Sequence, residues 1–192
     1  QVEHFGNPTL NVNDAFKAVT RYWDRIVHPE QLMSSLPQAI ATMLDPADCG
    51  PAFIALPQDV QEYACDYPEE FFEEKIHTIP RARPDKDRLA EAIKLIKGAK
   101  RPLIIAGGGV RYSGAEKLLG DLAVELGIPV TETIAGKGAL IHTHPAHAGP
   151  IGIIGSTSAN ILAAEADVII AIGTRLADFV TGSWSCFKRD AK

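Results

Sequence analysis

The chain has 192 residues, 46 % of them hydrophobic, and a formal net charge of −5 from 19 basic and 24 acidic side chains. That apolar content supplies a core without disulfide staples, and the acidic balance argues against nucleic acid or an anionic membrane surface as the main partner. Cys49, Cys65 and Cys186 are scattered with no C-x-x-C spacing, which suits a reducing cytoplasm.

No apolar run approaches the roughly 20 residues that span a bilayer, and no signal-peptide pattern opens the chain. The start at Gln1 and the stop at Lys192, just past an apolar strand, read as a piece of a longer polypeptide. Residues 1–62 form a first block. Val12 to Phe16 leads into Val19 to Val27, where Arg21, Tyr22, Trp23, Asp24 and Arg25 sit among apolar neighbours. Pro29-Glu30-Gln31-Leu32 predicts a helix start with Pro in the first turn. Ser35 to Leu44 reads as an amphipathic helix carrying Leu36, Ala39, Ile40 and Met43. Turn residues fill 45–51, and Ala52 to Leu56 is a short buried strand ended by Pro57. Residues 63–84 are acidic and aromatic, then proline-bearing, and read as a linker that hugs a surface.

A second block covers 85–192. Leu89, Ala92, Ile93 and Ile96 share a helical face that ends at Gly98. Leu103, Ile104, Ile105 and Ala106 do not alternate with polar residues, the habit of a parallel strand buried on both faces. Gly107, Gly108 and Gly109 follow, and glycines there let the chain turn sharply above the sheet. Ser113 to Glu116 has capping-box spacing, with Leu118, Leu119, Leu122, Ala123 and Leu126 on the helix behind it. Gly127 stops that helix and Ile128 to Thr131 is the next strand. A glycine-rich crossover covers 134–154, a short helix 158–164, and an unbroken apolar strand 168–172 before Gly173-Thr174-Arg175. The fold class is therefore α/β, with a doubly wound parallel sheet.

The motifs in this block are incomplete. Gly107, Gly109 and Tyr112 hold the spacing of G-x-G-x-x-G without its third glycine, and Glu132 comes late for the acidic residue that usually follows. Tight turning of the backbone accounts for the glycines better than dinucleotide binding does. Gly136-Lys137-Gly138-Ala139 lacks the Walker spacing. His142, His144 and His147 read as ordinary loop histidines, with no Cys or carboxylate to complete a metal set. Ser156 and Ser158 lack a nucleophile-elbow context. No catalytic residue and no metal ligand is assigned. Arg175, just past a strand, has the planar fork that suits phosphate; the competing reading pairs it with Asp178 or a carboxylate of another domain.

Several stretches, in order, resemble the thiamine-diphosphate-dependent enzymes of the acetolactate synthase type. They are Asn13 to Phe16, Pro51 to Gln61, Ala99 to Gly109, His144-Pro145, Ala159-Asn160 and Ala166 to Arg175. The resemblance implies that residues 1–62 close a pyrimidine-binding α/β domain. Residues 85–192 are then a Rossmann-like central domain of six parallel strands, joined through 63–84. Asn13 to Lys17, Arg21 to Ile26, Pro29 to Met33, Leu56 to Gln61 and Asp66 to Phe72 are similar to a hydrolytic branch of that family. This branch opens a cyclic 1,2-diketone by C–C cleavage in myo-inositol breakdown. Acetolactate synthase or another carboligase, and an FAD- or ADP-binding module, are the alternatives.

Membership implies thiamine diphosphate and Mg2+, a cytoplasmic homo-oligomer (dimer or tetramer), and a small cyclic diketone as substrate. The activating glutamate is expected before Gln1 and the magnesium–diphosphate motif after Lys192, so the chain as given is expected to be inactive. Phe16 and Lys17 match a loop near the active site. Relatives that keep FAD place it near positions matching Gly108, Gly109 and Arg175.

Overall fold

The computed structural model describes residues 4–192, which divide into two compact units, one ending at Arg83 and one running from Pro84 to Lys192. In the first unit, a 3-10 segment Val12–Val19 precedes strand β1 (Tyr22–Arg25). A 3-10 turn Pro29–Gln31 then opens helix α1 (Leu32–Met43), as the proline predicted. Strand β2 (Ala52–Ala55) lies parallel to β1, with Tyr22 opposite Ala52 and Arg25 opposite Ala55. The unit is thus a β-α-β crossover. Its first strand has too many polar residues to show an apolar run.

Asp24 explains which face of α1 turns inward. Its carboxylate accepts from Ser35 Oγ, from Gln31 Nε2 at 3.0 Å and from the Arg25 N–H at 2.8 Å. Burial pushes its pKa up, but the hydrogen bonds from Ser35, Gln31, Arg25 and Tyr22 outweigh that and hold it below the usual range. Ser35 and Ala39 are therefore the buried residues of α1, while Leu36 and Met43, expected on the inner face, are exposed. Farther along, Tyr67, Phe71 and Phe72 pack as an aromatic trio, and the Tyr67 hydroxyl donates to the Pro29 carbonyl at 2.8 Å.

The second unit carries helix α2 (Lys86–Gly98), strand β3 (Pro102–Ala106), a short helix α3 (Gly108–Tyr112), helix α4 (Glu116–Leu126) and strand β4 (Val130–Glu132). Strand β5 (His147–Pro150), helix α5 (Thr157–Glu165), strand β6 (Val168–Ile172) and helix α6 (Asp178–Thr181) follow. The sheet is all parallel, in the order β5-β4-β3-β6. It has four strands among the described residues, against six in the family expectation. β6 is an edge, where the Lys192 backbone donates to the Asp167 carbonyl and accepts from the Ile169 N–H.

β3 is covered on both faces. Ile104 and Ala106 join Leu119, Ala123 and Leu140 in one cluster, while Leu103 and Ile105 join Ile151, Ala163 and Val180 in another. Successive strand side chains point to opposite faces, so a continuous apolar run fills two layers at once.

Four local expectations are corrected. Ser113 does not cap α4: its hydroxyl bonds the Gly109 carbonyl and finishes α3, and the N-cap position of α4 is Ala115. The buried face of α4 is Leu119, Gly120 and Ala123, whereas Leu118, Leu122 and Leu126 are exposed. Small residues let this helix sit close, and the His144 ring stands where a Cβ on Gly120 would fall, 2.8 Å from Nε2. The 134–154 stretch also contains β5, whose His-Ala-Gly-Pro sequence has no strand-like pattern. On α2, Leu89 and Ile93 are exposed and Ile96 alone of the predicted face packs on the core. Gly127 does end α4, in the left-handed conformation at φ 64°.

β3 and β6 are aligned at their starts by Asp167, whose two carboxylate oxygens accept from the Lys100 N–H at 2.7 Å and the Arg101 N–H at 2.9 Å. The bonds from Lys100 and Arg101 hold its pKa below the usual carboxylate range. A group depressed by folding adds stability above its unfolded pKa, and that stability is lost as pH falls through the lower folded value. Asp167→Asn is expected to lower Tm by a few degrees at neutral pH. The gap from the parent should close on acidification through the carboxylate range, which a thermal-melt series against pH reads directly.

Candidate functional site

The strand order reverses between β3 and β6, so the crevice outside their C-terminal ends is where an open α/β sheet binds ligands. Gly107 to Gly109 and Gly173 to Arg175 form its two lips. The lips touch: the Gly109 N–H donates to the Gly173 carbonyl at 2.9 Å and the Gly107 N–H to the Ile172 carbonyl at 2.8 Å. A Cβ on Gly107 would run into the Gly173 carbonyl, and one on Gly109 would lie 2.6 Å from the Gly173 Cα. The glycines here make room for another strand's backbone.

Gly108 lines a hollow of 390 Å³ with Arg111, Tyr112, Glu116 and Ala135. Arg175 is exposed and makes no ion pair with Asp178 among the described residues; Asp178 accepts instead from Ser183 Oγ at 2.8 Å. Leu176, next to Arg175, has a positive φ of 49°, which costs a branched side chain energy and fixes the chain's direction as it leaves the lip.

Glu132 ends β4, where dinucleotide folds keep a carboxylate for the ribose. Here it is committed elsewhere. Only 5 % exposed, it accepts the Leu140 N–H at 2.9 Å and pairs with His147 Nε2 at 3.2 Å. A carboxylate thus does stand beside one loop histidine, contrary to expectation, because β5 brings His147 alongside β4. This pair was hidden by a separation of 15 residues. The turn beyond β5 is clasped by Asn160, which accepts the Gly152 N–H and donates to the Gly152 carbonyl, both at 2.9 Å.

In the first unit, Phe16 stacks on Phe53 with centroids 4.6 Å apart, and Trp23 stacks on the same ring at 6.4 Å. Lys17 sits 4.2 Å over the Trp23 ring and 3.0 Å from the Asp14 carboxylate. Its charge is partnered on both sides within the unit.

No group of three or more His, Cys, Asp or Glu side chains among the described residues is placed to hold a metal ion. No helix among the described residues is long and apolar enough to cross a membrane.

The glycine-tipped parallel sheet matches a family model described as "Thiamine pyrophosphate enzyme, central domain" over residues 89–192, and the chain belongs to that family. Similarity to individual proteins reaches further along the chain. It is 46 % identical over 187 residues to a 3D-(3,5/4)-trihydroxycyclohexane-1,2-dione hydrolase of Geobacillus thermodenitrificans, covering 97 % of this chain and 29 % of the relative. Proteins of the same name match at 48 % over 188 residues in Clostridium perfringens (98 % of this chain, 29 % of the relative) and at 46 % over 190 residues in Bacillus thuringiensis (99 % and 30 %). The chain thus spans under a third of the length of these curated relatives.

Proposed function

We propose that this chain is a segment of a thiamine-diphosphate-dependent hydrolase that opens the ring of trihydroxycyclohexane-1,2-dione by C–C cleavage in myo-inositol breakdown. The observation that carries this is identity of 46–48 % over nearly the whole chain to proteins of that name. In this reading residues 1–62 close the pyrimidine-binding domain, 63–84 link, and 85–192 belong to the central domain. The enzyme is a cytoplasmic homo-oligomer that uses Mg2+ with its cofactor. The cofactor carries the carbon–carbon chemistry, and this segment supplies framework. Phe16 and Lys17 stand on the active-site side of their domain.

A second reading, nucleotide binding at Gly108, Gly109 and Arg175, draws support from the strand order and the glycine-tipped strands. The commitment of Glu132 to Leu140 and His147 weighs against it.

The test is an assay of the full-length protein with thiamine diphosphate and Mg2+, on the cyclic dione and separately on pyruvate. Ring opening with the dione, no acetolactate from pyruvate, and no turnover by the isolated 192-residue chain are expected. Acetolactate without ring opening would assign the protein to the carboligases. Stoichiometric flavin absorbance after incubation with FAD would establish the nucleotide reading.

A further inference from the structure

A groove of 590 Å³ opens at the C-terminal end of β4, beside β5. Ile134, Ile141 and Ile154 on its wall are 59 %, 69 % and 61 % exposed, so none of the described residues covers its apolar surface. The volume falls within the range of small-molecule sites, and a mostly apolar lining with a few converging polar groups is their usual make-up.

The polar groups are unusually one-sided. Lys137, His142 and His147 line the groove, against the single carboxylate of Glu132. Glu132 is already used by the Leu140 N–H and by His147. An ionised carboxylate only accepts, so the ring must present Nε2–H to it, which leaves Nδ1 as the ring's second hydrogen-bonding atom. No buried side-chain nitrogen or oxygen among the described residues lacks a partner, and none of their bonds uses His147 Nδ1, so this atom is not sealed in the core. Lys137 and His142 make no ion pair among the described residues. The arrangement is an oriented imidazole backed by a buried carboxylate, with a free ammonium and a second imidazole beside an aliphatic wall.

We propose that this groove is a binding site for a small aliphatic carboxylate. Its hydrocarbon part lies on Ile134, Ile141 and Ile154, and its carboxylate is held by Lys137 and His142, with the His147 ring beside them. An aliphatic cation finds no free acceptor of opposite charge there, and a neutral alcohol forgoes the ionic contacts. The inference stands on the groove and not on the ring-opening activity, so the two can fail separately.

The probe is sodium octanoate, titrated calorimetrically into the full-length protein, with octylammonium and 1-octanol as controls. Saturable one-site binding of octanoate is expected, with neither control matching it. Lys137→Ala, at an exposed rim position, should weaken binding roughly fivefold, as loss of one partly exposed ionic contact does. His147→Gln should weaken it further, and octanoate should shift the His147 ring resonances. The proposal is overturned if octanoate does not saturate, if the three probes bind alike, or if Lys137→Ala leaves affinity unchanged. Displacement of octanoate by ADP at equal or lower concentration would give the groove to a nucleotide and overturn it as well.

Discussion

Gly109→Ala is expected to cost the second unit about 3 kcal/mol, and Gly107→Ala at least as much. The cause lies in the crossing of two loops, since a methyl at either position meets backbone: the Gly173 Cα at 2.6 Å from a Cβ on Gly109, and the Gly173 carbonyl from one on Gly107. Backbone cannot swing aside as the tip of a side chain can. The lips would have to part, which breaks the bonds from Gly109 to Gly173 and from Gly107 to Ile172 at the end of the β3–β6 pair. For a unit of this size such a loss lowers Tm by roughly 10–20 °C. Differential scanning calorimetry, with hydrogen exchange at the amides of β3 and β6, measures it. If these glycines serve only to admit a ligand, stability will be unchanged, and a Tm shift below about 2 °C would show that.

Glu132→Ala should destabilise by about 3 kcal/mol, and Glu132→Gln by about 1 kcal/mol. Removing the side chain leaves the buried Leu140 N–H without its 2.9 Å acceptor and His147 without its 3.2 Å partner. Glutamine keeps an acceptor for Leu140 and gives up the charge. The crossover from β4 to β5 is what loosens, so exchange at the Leu140 amide should rise more in the alanine variant than in the glutamine one. Chemical denaturation that ranks the two variants equal to the parent would remove Glu132 from its role as the pin of this crossover.

The family is legible in the sequence. Short stretches such as Ala99 to Gly109 and Ala166 to Arg175 carried it, and their structural work is now visible: Asp167 ties the start of β6 to the Lys100–Arg101 backbone, and the glycines let the strand ends cross. Less legible were features built from residues distant in sequence. Glu132 read as an acidic residue too late for a motif, and His147 as one of three loop histidines. Neither reading contains the other residue, because the two meet only when β5 lies beside β4, with His147 opposite Val130 and its ring reaching Glu132. Helix faces follow residue size as well as apolarity: in α4 the inner positions belong to Leu119, Gly120 and Ala123, and Leu118, Leu122 and Leu126 stay outside.

From the order of residues alone came the parallel α/β class, the continuous apolar strands β3 and β6, the stop of α4 at Gly127, and the likeness to thiamine-diphosphate enzymes. These rest on local rules: unbroken apolar runs, φ > 0 at glycine, and spacing along one chain. Strand order, the contact of the two glycine lips, the partner of Glu132 and the isoleucine-walled groove came only from the folded chain. Each depends on which distant backbones come within a few ångströms of one another, and close packing, not sequence neighbourhood, decides that.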